Sequence, residues 1–119
     1  MARRYIPGRG EAVWITPNPQ ARHEQPGCRL ALVLSPSAYN GKVGLAILCP
    51  ITSQVKGYPF EVAIPSGSKL AGVVLADQVK NLDWRVRKAE FICKLPRKTT
   101  DEVLEKLGTL LAAENENRP

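Results

Sequence analysis

Histidine is almost missing from this chain: His23 is the only one in 119 residues, which excludes any site built from paired imidazoles. Cysteine is scarce too. Cys28, Cys49 and Cys93 lie far apart, with no Cys-x-x-Cys spacing, so neither a zinc site nor a disulfide framework is expected. An odd count of scattered thiols fits reduced, mostly buried cysteines in a cytosolic protein. No apolar run approaches the roughly 18 residues of a membrane span. The start, Met1 to Gly8, lacks the apolar stretch of a signal peptide. A soluble, cytoplasmic protein without contact to membranes is expected. There is no phosphate-binding glycine loop and no Ser-His-Asp arrangement, so neither a bound cofactor nor a metal is expected.

What is present suits one compact domain over residues 1–119, ending in a polar tail from Glu114 to Pro119. Hydrophobic residues make up 44% of the chain and ten prolines punctuate it, which leaves little room for long helices. The formal charge is +6, unevenly spread. Residues 1–100 carry 15 Lys/Arg against 6 Asp/Glu, a net +9; residues 101–119 carry 2 against 5, a net −3. The body is therefore basic, and its natural partners are polyanions or acidic proteins.

Glu11 to Thr16 alternates as a half-buried strand. Pro17 to Gly27 is polar and broken by Pro17, Pro19 and Pro26, long for a connection, and contains His23, Glu24 and Gln25. Arg29 to Leu34 is a nearly continuous apolar run, hence a central strand buried on both faces. Ser35 is placed to cap a short helical turn to Tyr39, ended by Asn40-Gly41. Further strands are expected over 43–49, 60–64 and 89–94, and from Gly72 on through Lys80, where Gln78 and Lys80 share a face. Thr99-x-x-Glu102 reads as a capping box opening a terminal helix. Val103, Leu104, Leu107, Leu110 and Leu111 form its apolar stripe. Five to seven short strands with one terminal helix predict a mainly β, strongly bent, barrel-like fold.

The segment from Pro50 to Glu61 is the strongest candidate for function. It leaves a buried strand, runs through Thr52, Ser53 and Gln54, presents Lys56 at a glycine turn, and is longer than a hairpin needs. A phosphodiester would suit the groups on offer. Glu24 can take a proton from a ribose 2′-hydroxyl. The Arg29 fork matches the charge that develops on phosphoryl oxygens, and Thr52 can donate to the same oxygens. Taken singly, each has a plainer reading: a surface charge, the partner of a structural carboxylate, the start of a turn. His23, alone in a polar loop, reads as a solvated histidine before it reads as a base.

Taken together, the residues form an ordered series. Tyr5-x-Pro7, Gly10-Glu11-x-x-Trp14, Glu24-Gln25-x-Gly27-x-Arg29 and Val33-Leu34-Ser35-Pro36-x-x-Tyr39-Asn40 are followed by Pro50-x-Thr52, Lys56 to Val62, Leu75 to Lys80 and Trp84-Arg85. In this series the chain resembles the MazF/PemK family of toxin endoribonucleases. The resemblance implies an SH3-like barrel of the MazF/PemK/CcdB type with a C-terminal helix. It also implies a homodimer and metal-independent cleavage of single-stranded RNA to 2′,3′-cyclic phosphate and 5′-hydroxyl ends. Arg29 and Thr52 fall on the family's catalytic arginine and hydroxyl, and Glu24 on its acidic loop residue. Arginine is a poor proton acceptor, so Glu24 is expected as base and Arg29 as stabiliser of charge. Gln25, Ser53, Gln54, Lys56 and Gln78 are candidates for reading bases and phosphates, whose edges are open in unpaired RNA.

Leu30 departs from the family's proline, and the loop between Thr16 and Arg22 diverges, which leaves base preference open. The implied partner is an antitoxin with an acidic, disordered C-terminal segment, which the basic body complements; DNA would be reached only through that complex. A CcdB-like gyrase poison on the same barrel would carry an apolar, tryptophan-containing end, whereas this chain ends on Glu114 to Pro119. An inactive relative retained as a co-repressor is the remaining alternative.

Overall fold

A computed structural model describes residues 4–16 and 29–113. The chain forms β1 (Glu11–Ile15), β2 (Arg29–Val33), α1 (Ser37–Val43), β3 (Leu45–Thr52) and β4 (Glu61–Ala63). β5 (Val73–Leu75), β6 (Lys80–Asp83), β7 (Glu90–Lys94) and α2 (Arg97–Leu111) follow. All strand pairs are antiparallel, in the order β4-β5-β3-β2-β1-β7, with β6 added on β3. The fold is thus mainly β, as the pattern of short strands predicts. The path ends on β4 and β7, and among the described residues no pairing joins them, so the barrel is not closed.

β2 is buried on both faces, as its unbroken apolar run requires. Leu32 enters one core cluster with Cys49, Ile51, Val62, Val74 and Val103, which α2 covers. Ala31 and Val33 enter the other, with Val13, Ile15, Leu48 and Trp84.

β3 is the axis of the sheet. One edge pairs with β2 from Leu48↔Val33 to Ile51↔Leu30. Its other edge is shared: Leu45 to Leu48 pair with β6, and Ile51 and Thr52 with β5. Pro50 sits where those two partners part. Ile47 turns its backbone groups toward the β2 side, accepting from Leu34 N–H and donating to Ser35 Oγ, both at 2.8 Å. By strand alternation Pro50 then directs its missing N–H to the opposite edge, into the gap between β6 and β5, where no ladder bond is lost.

Three local expectations are corrected. α1 does not stop at Asn40-Gly41 but continues to Val43, and Gly44, at φ 85°, closes it in the left-handed region. Ser35 does not cap it; Pro36 takes that position, and Ser35 Oγ donates instead to Asn40 Oδ1 at 2.5 Å. The reason is tertiary. Asn40 is fully buried, its Nδ2 donates to the Pro7 and Ser35 carbonyls, and its carbonyl accepts from Trp84 Nε1 at 2.9 Å. Asn40→Ala would leave the Pro7 and Ser35 carbonyls and the Ser35 hydroxyl without their amide partner, while the backbone carbonyl that serves Trp84 stays, and should cost about 3 kcal/mol. Urea denaturation should show a lower midpoint with an unchanged slope.

Secondly, the strand from Gly72 does not run on to Lys80. It ends at Leu75, turns with Gln78 N–H on the Leu75 carbonyl at 3.1 Å, and restarts as β6 on the other half of β3. Thirdly, α2 begins at Arg97 behind Pro96, with no capping-box bond. Thr99 is already inside the first turn and is 3% exposed, so it packs rather than caps. Only the first part of the stripe is used: Val103 and Leu107 are buried, whereas Leu110 and Leu111 are 51% and 73% exposed.

Candidate RNA-cleaving site

Arg29 is the first residue of β2 and stands exposed opposite Ile15 of β1. The register between β2 and β3 ends on Leu30↔Ile51. One further step places Arg29 opposite Thr52, and cross-strand partners share a face of the sheet. Thr52 is half-buried, and its Oγ1 accepts the Gln54 N–H at 3.1 Å, which turns the chain out of β3.

The loop so begun carries Ser53, Gln54 and Lys56, all exposed. It is folded by its own far end. The Glu61 carboxylate accepts the Lys56 and Gly57 N–H groups at 2.9 Å each, with Gly57 at φ 83°. Lys106 of α2 donates to the Pro59 carbonyl at 2.7 Å. The Tyr58 hydroxyl donates to Asp77 Oδ1, and that hydrogen bond holds its titration above the ordinary tyrosine value. The loop is thereby tied to the turn that carries Gln78. Thr52 is held from behind by Gly72, at φ 117°: a Cβ there would lie 2.2 Å from the Thr52 carbonyl oxygen.

Beside Arg29 lies a cleft of about 380 Å³. Its floor is apolar, from Ile15, Leu48, Pro50 and Leu82; its polar lining is Arg29, Gln78, Lys80 and Arg87. Arg87 is positioned by its neighbour strand, accepting the Thr16 N–H at 2.9 Å and donating from Nη1 to the Thr16 carbonyl at 3.3 Å. Three cations and an amide over an apolar floor suit a phosphodiester with an unstacked base on the floor.

Of the residues singled out from sequence, Arg29 and Gln78 line this cleft together, and Thr52 stands across from Arg29 by register. Ser53, Gln54 and Lys56 belong to the loop leaving Thr52 and do not line the cleft. Glu24 and Gln25, with His23, lie outside the described residues. Lys80 and Arg87 were not among the expected site residues. The alternation that puts Lys80 on the face of Gln78 was a usable signal; Arg87 was hidden in the basic run Arg85 to Lys88. Gly72 and Glu61, which hold the loop, gave none. Among the described residues no group of three or more His, Cys, Asp or Glu could hold a metal ion, and no helix is long and apolar enough to cross a membrane.

The model of the family described as PemK-like, MazF-like toxin of type II toxin-antitoxin system matches residues 8–111. The endoribonuclease toxin MazF of Escherichia coli K12 is 49% identical over 89 residues, which span 75% of this chain and 79% of that protein. Endoribonuclease PemK of Escherichia coli is 33% identical over 107 residues, 87% of this chain and 80% of that one. A crystal structure of MazF from Deinococcus radiodurans matches with a TM-score of 0.81 at 54% identity, covering 91% of this chain and 98% of its own. A MazE-MazF crystal structure from the same organism gives 0.83 at 47%, covering 93% and 100%. With the family model matching residues 8–111 and these relatives alike in sequence and fold, the chain belongs to the PemK-like, MazF-like endoribonuclease toxins of type II toxin-antitoxin systems.

Proposed function

We propose that this endoribonuclease toxin cleaves single-stranded RNA at short sequences, without a metal ion, by attack of a ribose 2′-hydroxyl on the adjacent phosphorus. The observation that carries the reading is the cleft that Arg29, Gln78, Lys80 and Arg87 line together. The Glu24 carboxylate takes the 2′-hydroxyl proton as the new O–P bond forms. Charge then accumulates on the non-bridging oxygens, where the Arg29 guanidinium and the Thr52 hydroxyl stabilise it. The bond from phosphorus to the 5′-oxygen breaks, leaving a 2′,3′-cyclic phosphate on one fragment and a 5′-hydroxyl on the other. The departing 5′-oxygen takes its proton from water, and the Arg29 guanidinium, which keeps its own protons, hydrogen-bonds to it as it leaves. Gln78 reads the base on the cleft floor; Gln25, Ser53, Gln54 and Lys56 hold the strand on either side.

The protein works in the cytoplasm as a homodimer of single-domain subunits over residues 1–119, and its activity is held off by an acidic, MazE-like antitoxin. The net +9 of residues 1–100 supplies the complement to such a segment, and DNA is reached only through the antitoxin.

The test is to digest a mixed RNA in EDTA and map the new ends. Fragments should begin with a 5′-hydroxyl, refuse ligation until phosphorylated, and share a short sequence at the cut. New 5′-phosphate ends, or cleavage that needs added divalent metal, would overturn the mechanism.

A further inference from the structure

α2 starts without a side-chain cap: Pro96 occupies the N-cap position, and no acidic residue lies in the first turn. The first N–H groups of such a helix are left to water or to an external acceptor, and the helix dipole adds positive potential there. A cavity of about 350 Å³ opens at this end, and it shares no lining residue with the Arg29 cleft. Arg9, Lys94 and Arg97 line it, with Asp101 the single acid of the described lining, 3.7 Å from Arg97 Nε. Arg9 is fixed in place because its Nε donates to the Leu34 carbonyl at 2.6 Å.

A second observation points to a ligand. Thr100 also lines this cavity, is only 3% exposed, and its Oγ1 is a buried polar atom with no hydrogen-bond partner. Native structures leave very few such groups, and each calls for an explanation. Gly10 faces it: a Cβ there would come within 3.5 Å of both Thr100 Oγ1 and Lys94 Cε, so the glycine keeps the space between them open.

We infer that the N-terminus of α2 is a second anion site, which binds a phosphoryl group. The oxyanion accepts from the first-turn N–H groups of Arg97 and Lys98 and from the Thr100 hydroxyl. Lys94, Arg9 and Arg97 supply the charge. Helix N-termini with flanking cations bind phosphate in this way. The phosphoryl group belongs either to free phosphate or to a nucleic-acid strand, and the two share this chemistry.

Inorganic phosphate titrated into the full-length, 15N-labelled protein should give saturable amide shifts concentrated at Arg97, Lys98 and Thr100, with chloride at equal ionic strength giving none. Thr100→Val, which keeps the shape of a buried side chain, should weaken binding roughly tenfold or more, the weight of one hydrogen bond to a charged group. Lys94→Gln should weaken it as well without touching the buried threonine. Shifts that never saturate or scatter over the basic surface mean an adventitious ion only, and equal affinity in Thr100→Val removes the built site; either result overturns the proposal. A single-stranded oligodeoxynucleotide then separates the sources. Displacement of the bound phosphate identifies a strand phosphate, whereas unchanged binding identifies the free oxyanion.

Discussion

Arg29→Ala should lower the cleavage rate by about 100- to 1,000-fold, the usual loss when one donor to a developing oxyanion is removed. RNA binding should weaken far less, because Lys80 and Arg87 still line the cleft and Lys56 still stands on the adjoining loop. Folding should be nearly unaffected: Arg29 is exposed at the very start of β2, and such surface positions usually cost within about 0.5 kcal/mol. Arg29→Lys separates charge from shape. A lysine keeps the charge but loses the planar fork that meets two phosphoryl oxygens at once, so it should recover only part of the rate. Single-turnover cleavage and fluorescence anisotropy with a labelled oligonucleotide read the two quantities separately. Cleavage by Arg29→Ala at the native rate would remove Arg29 from the chemistry. A parallel loss of binding and rate would make it a strand contact only.

Gly72→Ala should be among the most damaging single-methyl changes in the molecule. The added carbon would sit 2.2 Å from the Thr52 carbonyl oxygen and 2.9 Å from its carbon, and both are backbone atoms that cannot rotate away. Moving them means moving Thr52 and Ser53, at the end of the strand that carries half of the site. The residue is also at φ 117°, outside the comfortable range of any L side chain. A loss of about 3 kcal/mol or more is expected, by the mechanisms that produce large single-site effects. Gly67→Ala is the control. It has a positive φ of 90° too, but nothing lies within 4 Å of the added carbon, so only backbone strain of about 1 kcal/mol should appear. If urea denaturation gives both variants the same stability, the close approach at Thr52 does not matter. Where Gly72→Ala still folds, amide shifts should move first at Thr52 to Gln54.

Much of the fold was legible because it rests on local patterns. The unbroken apolar run of β2 announced burial on two faces, and two separate core clusters take its alternate residues. The alternation of Gln78 and Lys80 announced a shared face, and both line one cleft. The failures share one cause. Asn40-Gly41 and Thr99-x-x-Glu102 are good local stop and start signals, yet Asn40 and Thr99 are pulled into the core, where hydrogen bonding to distant carbonyls and dense packing outweigh about 1 kcal/mol of capping preference. The break after Leu75 was invisible because it depends on β3, a strand far away in sequence, offering one edge to two partners.

The sequence by itself determined the basic body, the scarcity of metal ligands, the strand pattern and the ordered series of family residues. It also named Arg29 and Thr52 as residues to watch. Only the tertiary structure decided that these two lie one step past the last paired positions of β2 and β3, that Lys80 and Arg87 rather than Lys56 line the cleft with Arg29, and that Gly72 braces Thr52 from behind. The physical reason is that side-chain alternation along a strand settles which face a residue takes. Which distant residue it meets there is set by register and by how partners divide an edge, and both are properties of the assembled sheet.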